Sequence, residues 1–240
     1  MLHYGFIFNR NEKTFAQMDL VNGEVIPVMS ILRQLSSQRN DRTEFSNRRV
    51  VVQCLEAPDL LDEIAAGLQS GNAALMGDCA EVMTQVAKQH PEWITPFANI
   101  LVPLLAHKTA RVRWEAMHAL ALTAGLVPDV IAPVLPTLED LMQNDPSVIV
   151  RDYAVDTVGN YAATGPLAAE AAYPLLVEAL SIWKGKHVGH ALDGLANVAR
   201  SFPGLQDELQ AIADDFAQNE RAVIRKSAKK LQKAVKFHAD

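Results

Sequence analysis

Apolar and small residues recur along this chain at helical spacing. In the stretch DPSVIVRDYAVDTVGN, residues 145–160, Ala154 is followed four positions later by Val158. That spacing places both side chains on one face of a helix, and the stretch lacks the alternation typical of a strand. The pattern predicts an amphipathic helix that packs closely against its neighbours through the small residue.

The same small position returns every 37 or 38 residues, at Cys79, Ala116, Ala154, Ala191 and Ala228. The larger apolar residue that follows it is Met83, Leu120, Val158, Leu195 and, shifted by one position, Leu231. A second apolar stretch precedes each segment: DLLDEIAAGLQ, ITPFANILVPLLAH, VIAPVLPTLEDLM, LAAEAAYPLLVEALSIW and LQDELQAIADDFA. The repeating unit is therefore predicted to be a helical hairpin, and repetition at this period indicates a stack of hairpins.

Turn-forming sequences separate the two predicted helices of each unit: SGN (70–72), HKTA (107–110), NDP (144–146), KGK (184–186) and QNE (218–220). The clearest of these turns contains Asp145 and Pro146. We expect Asp145 to cap the start of the second helix and Pro146 to lie in its first turn, where proline is tolerated.

The units resemble HEAT repeats. The stretches KTARVRWEAMHALA and DPSVIVRDYAVDTVG match the second-helix pattern of that family, and prolines in the first helices are also similar to it: Pro103, Pro133, Pro136 and Pro174. The period is shorter than the ~40–47 residues typical of such repeats, and Met76 and Val188 replace the family's arginine in two units. The resemblance covers about residues 59–238. It implies an all-α, right-handed α-α superhelix of about five hairpins with an irregular N-terminal cap.

The first 58 residues form a predicted cap or degenerate repeat, followed by the repeat array over residues 59–240. HYGFIF and TFAQMDLV read either as a small hairpin or as a capping arm, and Asn22-Gly23 is a favourable turn sequence. EVIPVMSILRQL is predicted to be a helix and RRVVVQCLEA a second one.

Composition and charge narrow the functional classes. Hydrophobic residues make up 49% of the chain and charged residues 21%, which predicts a folded protein. The net charge of −6 is uneven, because residues 221–240 carry seven Lys and Arg against Asp240 while residues 50–220 carry −14. The sequence contains no apolar run of membrane-spanning length. Cys54 and Cys79 suit buried positions in a reducing compartment, so we expect a cytoplasmic protein.

Candidate catalytic chemistry is sparse. His187, His190 and Asp193 have a spacing that metal ligands sometimes adopt, and Glu115 with His118 has the spacing of an acid/base pair. Both sets are also common on helix surfaces, and the chain contains no GxGxxG, P-loop or GxSxG motif. It also lacks the His-Glu dipeptides of the HEAT-like deoxyhypusine hydroxylases. We predict no catalytic residues, no metal site and no cofactor.

Two sets of basic residues invite a phosphate-binding interpretation. Arg113, Arg151 and Arg225 recur at one repeat position, but we expect them to bond turn residues of neighbouring repeats, with Asp145 and Glu220 as partners. RAVIRKSAKKLQKAVK carries a basic stripe, Arg221, Arg225, Lys229 and Lys233, which suits either phosphates or a polar outer face. Because the preceding repeats are acidic, nucleic-acid binding is unfavourable.

The repeat register predicts one continuous surface. A row consists of the residue that follows the arginine position of a second helix and the residues four and eight positions after it. The rows of the five second helices are Gly77/Glu81/Gln85, Trp114/His118/Leu122, Asp152/Asp156/Asn160, Gly189/Asp193/Asn197 and Lys226/Lys230/Ala234. Three of these rows are polar, acidic or glycine throughout, so the row is predicted to face solvent. Trp114 is then either an exposed interface anchor or a side chain turned into the neighbouring repeat.

The resemblance and the absence of a catalytic set imply a non-enzymatic scaffold or adaptor. We expect a protein partner with a basic, partly apolar segment to bind across Glu81, Trp114, His118, Leu122, Asp152, Asp156 and Asp193. The alternative is a nucleic-acid-binding or DNA-base-excision protein similar to the HEAT-like alkylpurine DNA glycosylases. Trp114 with Asp152 and Asp156 is a faint match to the aromatic and acidic residues of those enzymes, without their basic surroundings.

Overall fold

The computed structural model describes residues 18–21, 24–27 and 30–236. The chain begins there with strands β1 (Met18–Val21) and β2 (Glu24–Pro27), which pair antiparallel with Val21 opposite Glu24. The predicted Asn22-Gly23 turn lies outside the described residues, between the two strands.

Helices make up most of the remaining described chain. The α-helices are α1 (Phe45–Glu56), α2 (Leu60–Gly67), α3 (Ala73–Ala87), α4 (Pro91–Ile94), α5 (Ala98–Leu101), α6 (Ala110–Thr123), α7 (Pro128–Ile131), α8 (Leu135–Asn144), α9 (Val148–Tyr161), α10 (Pro166–Ala179), α11 (Ile182–Gly185), α12 (Val188–Ser201), α13 (Gln206–Phe216) and α14 (Ala222–Lys236). Short 3-10 segments lie at Ile31–Gln34, Thr95–Phe97, Val102–Ala106, Ala132–Val134, Ala162–Thr164 and Pro203–Leu205.

The chain divides into two compact units, residues 1–82 and 83–240, and the division falls within α3. In the first unit, α1 confirms the helix predicted for RRVVVQCLEA. The single helix predicted for EVIPVMSILRQL is wrong, because this stretch contains β2 and a 3-10 segment. β-branched Val25 and Ile26 favour a strand, and Pro27 lacks the N–H group that a continuing helix needs. The predicted boundary between residues 58 and 59 stays a prediction.

The second unit is built from helical hairpins. In each hairpin a second helix packs on its own first helix, as α9 does on α8, α12 on α10 and α14 on α13. The second helices also pack on one another in chain order, α6 on α9, α9 on α12 and α12 on α14. Prolines break two of the first helices: Pro96 and Pro133 lie in 3-10 segments between short helices. A proline cannot donate a backbone hydrogen bond, so the regular helix is interrupted there.

The burial pattern confirms the repeat register. All five small residues have no solvent exposure, and neither have the larger apolar residues that follow them: Cys79, Met83, Ala116, Leu120, Ala154, Val158, Ala191, Leu195, Ala228 and Leu231. Glycines bring α9 and α12 closest together. A Cβ atom added to Gly159 would lie 2.7 Å from the Cα of Gly194, so neither position has room for a side chain.

The start of α9 differs in detail from the prediction. Ser147 is the N-cap, and its side chain accepts a hydrogen bond from the Val150 amide at 3.5 Å. Asp145 instead follows the last residue of α8, and its carboxylate accepts a hydrogen bond from the Ser147 amide at 2.8 Å. Asp145 is free to serve the turn because Ser147, one residue before the helix, is the better placed cap.

The recurring arginines bond turns, which confirms their structural role. Arg113 makes a two-pronged ion pair with Asp145, with Nε 2.7 Å from Oδ2 and Nη2 3.2 Å from Oδ1. Arg151 is fully buried and donates to the Asp145 carbonyl oxygen. Arg225 donates to the carbonyl oxygens of Asn219 and Glu220, each at 2.8 Å. Glu220 is therefore a partner through its backbone, because the guanidinium reaches the carbonyl that ends the turn.

Trp183 completes the surroundings of Arg151. The guanidinium of buried Arg151 lies 3.8 Å from the centre of the indole ring, a cation–π contact, and Trp183 itself is 40% exposed. The indole Nε1–H donates to the Met142 carbonyl oxygen at 3.0 Å. Trp183 has φ of 51°, a left-handed conformation that is uncommon for a bulky residue. These contacts hold the turn before α12 in one arrangement.

Candidate partner-binding surface

The second helices of the unit 83–240 present one row of residues from each repeat on a common face. We call it the second-helix face and define it by Trp114, His118, Leu122, Asp152, Asp156, Asn160, Gly189, Asp193, Asn197, Lys226 and Lys230. All of these residues are partly or fully exposed to solvent. The face exists because α6, α9, α12 and α14 lie side by side, so equivalent positions become neighbours.

The row on α6 is aromatic and apolar. Trp114 is partly exposed, and its indole Nε1–H donates to the Glu115 carboxylate at 3.0 Å. His118 stacks on Tyr153 of α9, with 3.8 Å between ring centres and 14° between planes. Burial, with a smaller effect of Lys88, lowers the pKa of His118 to about 4. His118 is thus neutral near pH 7 and adds aromatic surface rather than positive charge.

The row on α9 is acidic and is held by two histidines of the next repeat. His187 is fully buried and accepts a hydrogen bond at Nε2 from the Arg151 Nε–H, at 3.2 Å. Its proton is therefore on Nδ1, which lies 2.6 Å from Asp152 Oδ1. His190 Nδ1 lies 2.7 Å from Asp156 Oδ1, and this hydrogen bond is the main cause of the raised pKa of His190.

Two asparagines connect neighbouring second helices at the third position of the row. The Asn160 side chain donates to the Ala121 carbonyl oxygen, and the Asn197 side chain donates to the Gly159 carbonyl oxygen, each at 2.8 Å. The sequence analysis did not predict these two hydrogen bonds, although asparagines at the same position of two neighbouring repeats indicate a shared structural role. Together with the histidine contacts, they fix the spacing of α6, α9 and α12.

The sign of the charge changes towards α14. Asp193 on α12 is paired with Lys230, whose Nζ lies 3.2 Å from Asp193 Oδ1. Lys226 occupies the first position of the same row on α14 and is exposed. The face therefore runs from an aromatic row through acidic rows to a basic row.

Glu81 does not lie on an exposed surface. It belongs to the first unit, is 7% exposed, and accepts a hydrogen bond from the Asn47 side chain at 2.9 Å. Gly77 in the same row is buried as well. The expectation that this row faces solvent is therefore wrong for Gly77 and Glu81 of α3, and Asn47 of α1 is a partner that holds Glu81 inside. The predicted residues that are partly exposed are Trp114, His118, Leu122, Asp152, Asp156 and Asp193.

The other candidate metal-binding and acid/base residues make structural contacts. His187 and His190 bind carboxylates of α9, and residues 30–236 contain no group of three or more His, Cys, Asp or Glu side chains arranged to hold a metal ion. Glu115 contacts the indole of Trp114, while His118 stacks on Tyr153. Among the described helices, none is long and apolar enough to cross a membrane.

Stacked hairpins with interlocked second helices define an armadillo/HEAT-like helical-repeat solenoid. No protein-family model matches the sequence, and no curated protein is a significant match. Solved structures share the fold. A designed armadillo repeat protein in complex with the peptide (KR)4 matches with a TM-score of 0.67 and 19% identity, covering 85% of this chain and 98% of that chain.

Two further structures agree. An engineered protein matches with a TM-score of 0.66 and 17% identity, covering 88% of this chain and 100% of that chain. The archaeal HEAT-like repeats protein from Thermococcus onnurineus matches with a TM-score of 0.54 and 16% identity, covering 88% of this chain and 98% of that chain. At these identities the likeness establishes the fold, an all-α solenoid of helical hairpins. The handedness predicted for the array stays a prediction.

Proposed function

We propose that this protein is a non-enzymatic scaffold or adaptor that binds a basic, partly apolar segment of a protein partner. The segment would lie across Trp114, His118, Leu122, Asp152 and Asp156, which we call the aromatic–acidic segment of the second-helix face. The observation that carries the proposal is the position of a partly exposed aromatic row directly beside two partly exposed carboxylates. Asp193, the next carboxylate towards α14, is paired with Lys230.

The aromatic row supplies the anchor. Trp is the side chain most enriched among interface residues that dominate binding energy. Trp114 and Leu122 offer apolar surface about two turns apart on α6, and neutral His118 between them stacks on Tyr153. A partner's apolar side chain can therefore pack on a preformed surface without ordering it first.

The carboxylates supply the charge preference. Asp152 and Asp156 each use Oδ1 for a histidine of the next repeat, which fixes the orientation of the carboxylate. The second oxygen of a carboxylate retains lone pairs for a Lys or Arg of a partner. A positioned carboxylate binds such a cation at a lower entropic cost than a freely rotating one.

Similarity of fold gives the proposal further support. The designed armadillo repeat protein was solved with a (KR)4 peptide, a strongly basic segment. The inference from that protein to this one is by analogy of fold, and the residues of the aromatic–acidic segment are the specific argument.

The alternative of DNA-base excision is less well supported. It would place a phosphate backbone beside the carboxylates of Asp152 and Asp156, next to Trp114. The acidic surroundings repel a phosphate backbone.

We also propose a cytoplasmic location, supported by the two cysteines. Cys54 and Cys79 are free and buried, as expected for small apolar residues in a reducing compartment. Burial raises the pKa of Cys54 to about 12, so its thiol stays protonated and unreactive. Fractionation of the native cells with an antibody to this chain checks the location.

Peptide binding tests the proposed function. A fluorescently labelled peptide of alternating Lys and Leu should bind the full chain, and Trp114→Ala should weaken binding about thirtyfold, the effect of losing a dominant anchor. Leu167→Ala is the matched control, because Leu167 is 82% exposed on the first helix α10, away from the proposed surface. Anisotropy measures the affinity, and thermal melts confirm that both variants are folded.

Two results would overturn the proposal. One is a Trp114→Ala variant that binds the Lys-Leu peptide as wild type does. The other is a large loss of thermal stability in Trp114→Ala with full affinity after refolding, which would assign Trp114 to the core.

A further inference from the structure

A groove between α12 and α14 has the opposite charge to the aromatic–acidic segment. It is open and measures about 790 Å³. The residues that line it are Asp193, Arg200, Ala222, Val223, Arg225, Lys226, Ser227, Lys229, Lys230 and Lys233. Six of these are basic and one is acidic, so the groove is strongly cationic although residues 50–220 carry −14. We call it the basic groove.

The contacts of the lining residues show which charges are already used. Arg225 donates to the carbonyl oxygens of Asn219 and Glu220, and Lys230 pairs with Asp193. Lys226, Lys229 and Lys233 are exposed on the same helix. The single carboxylate of the lining is thus matched by Lys230, and the remaining lysines project a net positive field.

The groove also has an apolar wall. Val223 is 57% exposed at the start of α14 and lies beside Ala222. Val223 and Ala222 together place a small apolar surface directly beside the lysines of the lining. An anionic ligand that also carries an apolar group matches both parts of the lining.

We propose that the basic groove binds a short acidic peptide segment that carries an apolar side chain. The size of the groove suits a short segment, and the charge of its surroundings favours a peptide over nucleic acid. A volume of about 790 Å³ lies in the range of small-ligand pockets, which suits a few peptide residues. A nucleic acid is a continuous polyanion, and beyond the groove it would meet Asp152 and Asp156. A short acidic segment ends before it reaches them.

The basic groove and the aromatic–acidic segment are independent sites with opposite charge preferences. A partner with a basic stretch and an acidic stretch could occupy both, but neither site needs the other. A probe of one charge therefore tests one site, and failure at one leaves the other untouched.

The test uses the full chain and a fluorescently labelled peptide of alternating Glu and Leu, with anisotropy as the readout. We expect binding that weakens as salt rises, because the lysines are exposed. Replacing two lining lysines, Lys226→Gln with Lys233→Gln, should weaken binding about fivefold, as expected for two exposed charge contacts. The control pair, Lys88→Gln with Lys108→Gln, removes the same charge from exposed lysines that lie outside the lining and outside α12 and α14, and it should leave the affinity unchanged.

Several outcomes would overturn the proposal. They are no binding of the Glu-Leu peptide at low salt, an equal loss in the control pair, or tight binding of an oligothymidylate of the same charge with none of the peptide. The last outcome would assign the groove to nucleic acid. Trp114→Ala should not change Glu-Leu binding, and that separates this site from the proposed scaffold surface.

Discussion

The aromatic–acidic segment and the basic groove lie on the same set of second helices and are constructed differently. In the first, side chains cross from one repeat to the next: His118 stacks on Tyr153, and His187 and His190 bind Asp152 and Asp156. In the basic groove, Lys226, Lys229 and Lys233 extend into solvent. The first surface is positioned by packing and hydrogen bonds, whereas the second acts mainly through its field.

The difference shows how one repeat pattern yields two kinds of surface. A side chain at a row position becomes ordered when the next repeat offers it a partner, and it stays solvated when the next repeat does not. Ordered groups favour geometric selectivity, while exposed lysines favour charge attraction that salt screens. We expect substitutions to affect the two surfaces very differently.

The largest difference should appear at the recurring arginines. Arg151→Ala removes a buried guanidinium that contacts the Asp145 carbonyl, His187 and the Trp183 ring, and should lower the free energy of unfolding by about 3 kcal/mol. Arg225→Ala on α14 loses two hydrogen bonds at a partly exposed site and should cost about 1 kcal/mol. Urea unfolding followed by circular dichroism measures the free energy of unfolding of both variants. Equal losses in the two variants would contradict the proposed difference between the two sites.

An intermediate effect is expected at the small residues. Ala154→Leu would overpack α9, which is packed against α6, α8 and α12, at a cost of about 2 kcal/mol. Ala171→Leu is the control, because Ala171 is exposed on α10 and the change should be nearly neutral. A melting temperature that is the same for Ala154→Leu and wild type would refute the repeat register.

A smaller effect concerns pH and is confined to the aromatic–acidic segment. The pKa of His118 is about 4 in the folded state, against an ordinary value of 6.5, so the unfolded chain binds more protons between these values. His118 therefore does not lower the free energy of unfolding above pH 6.5. As the pH falls from 6.5 towards 4, it lowers that free energy progressively. His118→Phe should reduce the acid-induced loss measured by thermal melts between these values. If the variant and wild type lose stability in parallel, His118 is not the group responsible.

Much of the fold follows from the sequence because its signals are periodic. Ala116, Ala154 and Ala191 at near-constant spacing predicted the packing of the second helices, and all three are fully buried. The N-terminal region was harder, since EVIPVMSILRQL has the apolar content of a helix but Val25, Ile26 and Pro27 favour an extended segment.

The surface was only partly predictable, for a different reason. Row positions show which residues become neighbours, and so they identified Trp114, Asp152 and Asp156 as members of one face. They do not show which partners cross between repeats, such as His190 with Asp156 or Asn160 with the Ala121 carbonyl. Glu81 illustrates the limit, because its burial depends on Asn47, which belongs to a helix outside the repeat pattern.

Photo-crosslinking tests the central claim most directly. A Lys-Leu peptide in which one Leu is replaced by a diazirine analogue would be irradiated with the full chain, and the crosslinked residues identified by mass spectrometry. We predict crosslinks on α6 and α9, concentrated at Trp114, Leu122 and their neighbours, and strongly reduced in Trp114→Ala. Crosslinks spread over the first helices, or concentrated on α14, would contradict the proposed binding surface.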